Sequence, residues 1–311
     1  MKNFENPMPQ QITNEWLEKQ FENVETINIQ GQEIKILDII PPNQKTDIPV
    51  VMAPGYGTYS PLHIKTNILE MARLGRRTLF IDEPRGIKEN INNEKTEVIK
   101  EYFLRQVSAL VEVLDAKGIE KIDIVGNSEG GMYAIIAADI YPERFNNIIL
   151  CNTGGMIGED TASKLIYRFA VEGLRSAIDM GKRKKTMSVD AQKQIKEGVV
   201  GFNKYVFGEP KASYEEIKSM AGTKIRDMVK DVHSKGIGVS IIHTVDDSVF
   251  PMDQVQKETS KTSPDEKLIV DGFYSIPGRH GEFSVNPEQY TRITDEALTA
   301  LEEKNKKLDQ K

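Results

Sequence analysis

Cysteine and histidine are scarce in this 311-residue chain and positive charge has no excess over negative, and each shortage excludes something. With one cysteine, Cys151, there can be no internal disulfide and no cysteine-based metal cluster. Cys151 closes an apolar run, which reads as a small buried hydrophobe. No stretch approaches the ~18 apolar residues of a membrane-crossing helix. Residues 1–16 are polar and lack the apolar core of a signal peptide. The expectation is a soluble cytoplasmic protein without integral membrane association. A net charge of −6 lacks the basic excess that a nucleic-acid partner favours, so none is expected. Four histidines leave few candidates for a catalytic base.

What the chain does have is ordinary in bulk, with 39% hydrophobic and 28% charged residues, enough to bury a sizeable core. Its most informative segment is Gly126-Asn127-Ser128-Glu129-Gly130. An apolar run, 121–125, precedes it and a small-residue helical stretch, 131–140, follows. Strand, sharp turn and helix with a serine at the apex form a nucleophile elbow. The serine must stand clear of the sheet to meet a base and a substrate, and the flanking glycines let the turn close without Cβ clashes.

Short apolar runs alternate with helical stretches, the pattern of a largely parallel sheet. Residues 24–29 and 32–39 alternate apolar and polar about Gly31, predicting an opening antiparallel hairpin. Strands are expected at 49–53, 77–81, 121–125, 145–151, 236–243 and 267–276. Helices are expected around 62–74, 95–117 and 287–304. Between the sixth and seventh strands the pattern breaks, and 159–234 holds only polar helical stretches, too long for a plain loop. The expected organisation is a core of 1–158 and 235–311 with a helical cap of 159–234 over the carboxyl ends of the strands, where ligands bind in such sheets.

An activated serine needs a base, the base an orienting carboxylate, and the developing oxyanion donors. His280, in a turn after the last strand, is the best-placed base. The carboxylate belongs in the loop 243–251, where Asp246 and Asp247 adjoin; spacing to Pro251 favours Asp247, with Asp246 the alternative. The donors are the backbone N–H groups of Glu129 and, from the loop Pro54-Gly55-Tyr56-Gly57, of Tyr56, with Gly57 second. That loop holds a Gly-x-Gly, but Ser60 stands where a dinucleotide fingerprint needs its third glycine, so the match is weak. Lys182-Arg183-Lys184-Lys185 reads first as a solvated face; the functional alternative is attraction of an acidic acyl substrate or a membrane surface.

With Ser128, Asp247 and His280 in that chain order, the sequence resembles the α/β-hydrolase superfamily over about residues 24–304. The elbow 126–131 with Ala134, the segment Asp82-Glu83-Pro84-Arg85-Gly86, the acid loop 247–251 and His280 carry the likeness. Pro54-Gly55 stands where the family often has histidine-glycine, and Arg279 separates Gly278 from the base. The resemblance implies an α/β fold with a mostly parallel eight-stranded sheet, helices on both faces and a helical cap inserted after strand 6. It implies acyl transfer to water through an acyl-serine, on a small-molecule acyl substrate with a carboxylic ester as the expected bond, and with no cofactor or metal. A thioester, an amide, a carbon–carbon bond beside a carbonyl, or a non-catalytic small-molecule receptor are the rival readings. The oligomeric state is open.

Overall fold

A computed structural model describes residues 12–82, 87–91, 94–157, 160–183, 185, 187–260 and 269–309. The strands are β1 (Val24–Ile29), β2 (Gln32–Ile39), β3 (Val50–Ala53), β4 (Thr78–Ile81), β5 (Ile122–Asn127), β6 (Phe145–Cys151), β7 (Gly238–Thr244) and β8 (Gly272–Ile276). They form one sheet in the order β1-β2-β4-β3-β5-β6-β7-β8. β1 pairs antiparallel with β2, and β2 with β4; every other pairing is parallel. The expected hairpin and eight-stranded sheet are present. β8 is shorter than the expected 267–276; its start at 267–268 and most of the segment 82–86 lie outside the described residues.

The helices are α1 (Asn14–Phe21), α2 (Lys65–Arg73), α3 (Glu101–Ala116), α4 (Glu129–Ile140), α5 (Ala162–Arg183), α6 (Val189–Gly208), α7 (Pro210–Ala221), α8 (Arg226–Ser234), α9 (Met252–Thr259), α10 (Glu282–Val285) and α11 (Pro287–Asp309). The helical pattern at 95–117 divides: a 3-10 turn spans Glu94–Val98 and the α-helix begins only at Glu101.

Strand side chains alternate between two apolar layers, as the period of two requires. Val51, Ile124, Ile148 and Leu150 pack with α3, α4 and α8, while Met52, Val125, Ile149 and Cys151 pack with α1, α2 and α11. Parallel strands covered on both faces must be apolar throughout, and β3 and β6 are nearly so. α4 is apolar around its whole circumference because it is buried along nearly all its length. The segment between β6 and β7 is not uniform. α8 turns Val229 and Val232 into the layer containing α4, whereas α5, α6 and α7 lie over the end of the sheet that carries Ser128. Among the described residues no helix is long and apolar enough to cross a membrane.

Candidate active site

β5 ends at Asn127 and α4 begins at Glu129, which leaves Ser128 as the whole turn. Its backbone sits at φ 54° and ψ −114°, a conformation an L residue adopts at about 1–3 kcal/mol. Four hydrogen bonds hold it there. The Ser128 N–H donates to the Cys151 carbonyl at 2.8 Å. The Ser128 carbonyl accepts from Gly131 N at 3.2 Å, Gly154 N at 3.3 Å and Thr153 Oγ1 at 3.3 Å. The glycines are needed for close approach. A Cβ on Gly126 would lie 2.5 Å from Gly131 Cα, and one on Gly130 would enter the carbonyls of Ala53 and Pro54. Gly55 passes equally close, since its Cβ would fall 2.9 Å from Ser128 Cβ. The loop 54–57 that supplies Tyr56 therefore runs against the apex residue, and Glu129 is the first residue of α4 beside it.

His280 lies between β8 and α10. Its Nε2 is 3.0 Å from Ser128 Oγ and its Nδ1 is 2.8 Å from Asp247 Oδ2. Asp247 Oδ1 accepts from the N–H groups of Val249 (2.8 Å) and Phe250 (2.9 Å), so both carboxylate oxygens are engaged. Asp247 is buried and Asp246, the sequence alternative, is exposed. The structure thus brings Ser128, His280 and Asp247 into one chain of hydrogen bonds. Burial opposes a charge on His280, but the charge and hydrogen bond of Asp247 and the charge of Glu172 outweigh it, so the imidazole titrates above the ordinary histidine value.

Several contributors had no signal in the sequence. Asn152, at φ 46° just past β6, donates Nδ2–H to the His280 carbonyl at 2.9 Å and accepts from Thr244 N at 2.9 Å, tying the base loop to the ends of β6 and β7. His243 is buried in β7 and donates Nε2–H to the Phe250 carbonyl at 2.7 Å; burial lowers its pKa, which keeps it a neutral brace for the acid loop. Glu172, buried on α5, accepts from the Ser248 hydroxyl and from Ser176 at 3.0 Å. Polar residues at chain distances of tens to more than a hundred residues converge here, and no local pattern records that.

Two helices, α5 and α6, close over the site with aromatic rings. Phe169 of α5 and Phe202 and Tyr205 of α6 surround the Tyr56 ring at centroid distances of 5.7, 5.6 and 6.0 Å. Phe169 and Phe250 also present edges to His280 at 6.1 and 5.4 Å. Beside them stands a polar wall. Glu216 of α7 accepts from the hydroxyls of Tyr59 and Tyr205 and shares hydrogen bonds with Glu129 and Tyr102. Burial pushes the Glu216 carboxyl up, and these hydrogen bonds only partly offset it. The Tyr56 hydroxyl shares a hydrogen bond with Ser213 of α7, and burial pushes that phenol up to about 12, so it stays protonated. Ser128 is only 3% exposed under this cover. Among the described residues no cluster of histidine, cysteine, aspartate and glutamate has the arrangement of a metal site.

Comparison with known proteins gives the same frame. A family model for the alpha/beta hydrolase fold matches residues 48–180. Over 123 residues the chain is 32% identical to a 2-hydroxy-6-oxononadienedioate/2-hydroxy-6-oxononatrienedioate hydrolase of Comamonas testosteroni, covering 39% of each protein. Over 177 residues it is 27% identical to a 2-hydroxymuconate semialdehyde hydrolase of Pseudomonas putida, covering 54% of this chain and 60% of that one. The matches thus span less than two thirds of these relatives' lengths. Among solved structures, a meta-cleavage product hydrolase from Pseudomonas fluorescens superposes with TM-score 0.59 at 19% identity, over 89% of this chain and 97% of that one. An enol-lactonase from Burkholderia xenovorans gives 0.61 at 13% identity, over 88% and 100%.

Proposed function

The chain has the α/β-hydrolase fold, and from that premise we propose that it is a serine hydrolase that cleaves a small-molecule carboxylic ester through an acyl-serine. One observation carries the reading: the continuous hydrogen-bonded chain from Ser128 Oγ through His280 to Asp247. His280 Nε2 takes the Ser128 proton as the hydroxyl oxygen attacks the carbonyl carbon, and returns it to the leaving alkoxide. Asp247 holds Nδ1–H and stabilises the imidazolium. The amides of Tyr56 and Glu129 receive the oxyanion, a donor being worth about 3 kcal/mol in such sites. Water then attacks the acyl-serine by the same proton path in reverse. Helices α5, α6 and α7 cover the serine through Phe169, Phe202 and the Tyr56–Ser213 contact.

A second reading follows from the relatives. A 2-hydroxy-6-oxo-dienoate or a semialdehyde contains no ester, so a hydrolase of such a molecule breaks a carbon–carbon bond beside a carbonyl. The fold hosts both chemistries and does not choose. The polar wall favours the ester. The buried Glu216 carboxyl offers a substrate carboxylate no counter-charge, and Arg168 and Arg279 are already paired with Asp160 and Asp179.

The test is hydrolysis of p-nitrophenyl esters across a chain-length series, with 2-hydroxy-6-oxo-6-phenylhexa-2,4-dienoate as the rival substrate. Ester turnover by the wild type, falling by about 10⁴-fold or more in Ser128→Ala, is the expected result. Turnover of the dienoate alone would move the reaction to the carbon–carbon bond. Turnover of neither by folded protein would leave a ligand-binding role.

A further inference from the structure

We propose that the outer face of the cap, formed by α5 and α6, is a docking surface for an anionic lipid membrane. The two helices turn their inner sides to the same ring, Tyr56, through Phe169 and Phe202. Their opposite sides are turned away from that ring. On a helix, Tyr167, Leu174 and Ile178 share a face by their spacings of seven and four, and so do Val189, Val200 and Phe207. All six are exposed, Leu174 by 67% and Phe207 by 79%. Scattered apolar residues are normal on a surface, but nine of the thirteen large exposed hydrophobics among the described residues lie on α5, α6 and α7.

Charge gives the occupant. Residues 162–208 hold ten Lys and Arg against four Asp and Glu, a net +6 in a chain of net −6. Among the described residues of this segment seven cations are exposed, including Arg175, Lys182, Lys193 and Lys196, against one exposed acid, Asp190. Helices with an apolar outer stripe flanked by lysines lie in the headgroup region, with apolar side chains immersed and the long cationic ones reaching anionic lipids. A second copy of this chain is the poorer fit, because a two-fold pairing of the face would set +6 against +6. Of the basic run 182–185, Lys182 at the end of α5 and Lys185 between the two helices are exposed, whereas Arg183 turns back to Glu282 at 2.8 Å.

The test uses the full chain with vesicles of phosphatidylcholine alone or with about 30% phosphatidylglycerol, read by flotation. Binding to the anionic vesicles should exceed that to the neutral ones by about tenfold or more, and should weaken in about 0.5 M NaCl. Leu174→Asp with Phe207→Asp should cost about tenfold or more in binding, and Lys193→Glu with Lys196→Glu should cost a similar factor. Hydrolysis of a soluble short-chain ester should be unchanged in both variants, which shows them folded. Ser128→Ala should bind as the wild type does, so failure of the hydrolase reading leaves this one standing. The proposal is overturned if the protein stays out of both vesicle types, if neutral vesicles bind as well, or if the variants bind undiminished. It is also overturned if light scattering shows a dimer, or a complex with an acidic protein, that the same substitutions dissolve in place of vesicle binding.

Discussion

At the residue scale the site turns on how one imidazole is held. On the proposed function Asp247 and not Asp246 is the acid, because only Asp247 has its carboxylate buried against His280 and secured by the Val249 and Phe250 amides. The base must be neutral to accept the Ser128 proton, and the surroundings of His280 raise its pKa. The acid limb of the rate should accordingly rise with pH through a midpoint above the ~6.5 of a free histidine. Asp247→Asn removes the largest raising causes, so the midpoint should move down while the rate falls by about 10⁴-fold. A pH–rate profile of both proteins checks the shift; a wild-type midpoint at or below the free value would contradict it. Asn152 acts through the His280 carbonyl, as a positioning residue. Asn152→Ala should lower kcat with little change in KM.

At the element scale, buried charge decides how helices attach. Arg76 is fully buried between β4 and α2, and reaches α11 through Asp295 at 2.6 Å, Glu302 at 2.5 Å and Thr299 at 3.0 Å. Replacing it with methionine takes the cation from Glu302 and leaves Asp295 with Lys45 alone, and should cost about 3–5 kcal/mol in urea denaturation. Asp123 in β5 is the opposite case. Burial pushes its carboxyl up to about 6, against the help of Asn146 and Asn147, and Oδ2 has no partner. A carboxyl with a raised folded pKa stabilises while protonated, below the unfolded value near 4, and loses that contribution as pH rises to about 6. Asp123→Asn should therefore stabilise the fold at pH 8 by roughly 1–3 kcal/mol and do little at pH 4. Thermal melts at the two pH values read the difference.

At the scale of the whole molecule the question is access. Ser128 is buried beneath α5, α6 and α7, and α7 is tied to the loop 54–60 by Tyr56 to Ser213 and by Tyr59 to Glu216, so on the proposed function entry of a substrate should require these contacts to open. Tyr59→Phe removes one such hydrogen bond, worth about 1 kcal/mol, and should speed labelling of Ser128 by a fluorophosphonate about fivefold. Equal labelling rates would show that this contact does not limit opening. The outward face of the same helices is the surface proposed to meet the membrane, which puts lipid on the element that must move.

The sequence alone carried whatever rests on short-range pattern. The elbow is legible because Gly126, Ser128 and Gly130 solve a local steric problem, the close approach of α4 to β5 and β3. The sheet is legible because apolar runs of four to seven residues covered on both faces can be little else. His280 stood out because so few histidines compete. Tertiary structure decided the rest. Asp247 differs from Asp246 only in which backbone amides it meets after the loop folds. Glu172, Glu216, Asn152 and Tyr59 are polar residues on unremarked elements, and they matter only because chain closure sets them within hydrogen-bond reach of partners 76, 157, 128 and 157 positions away. α8 is polar in composition, and only its packing shows Val229 and Val232 seated in the layer with α4. Local sterics and periodicity act through neighbours in the chain and leave a trace in its order. Contacts across the fold depend on distances that the order of residues does not contain.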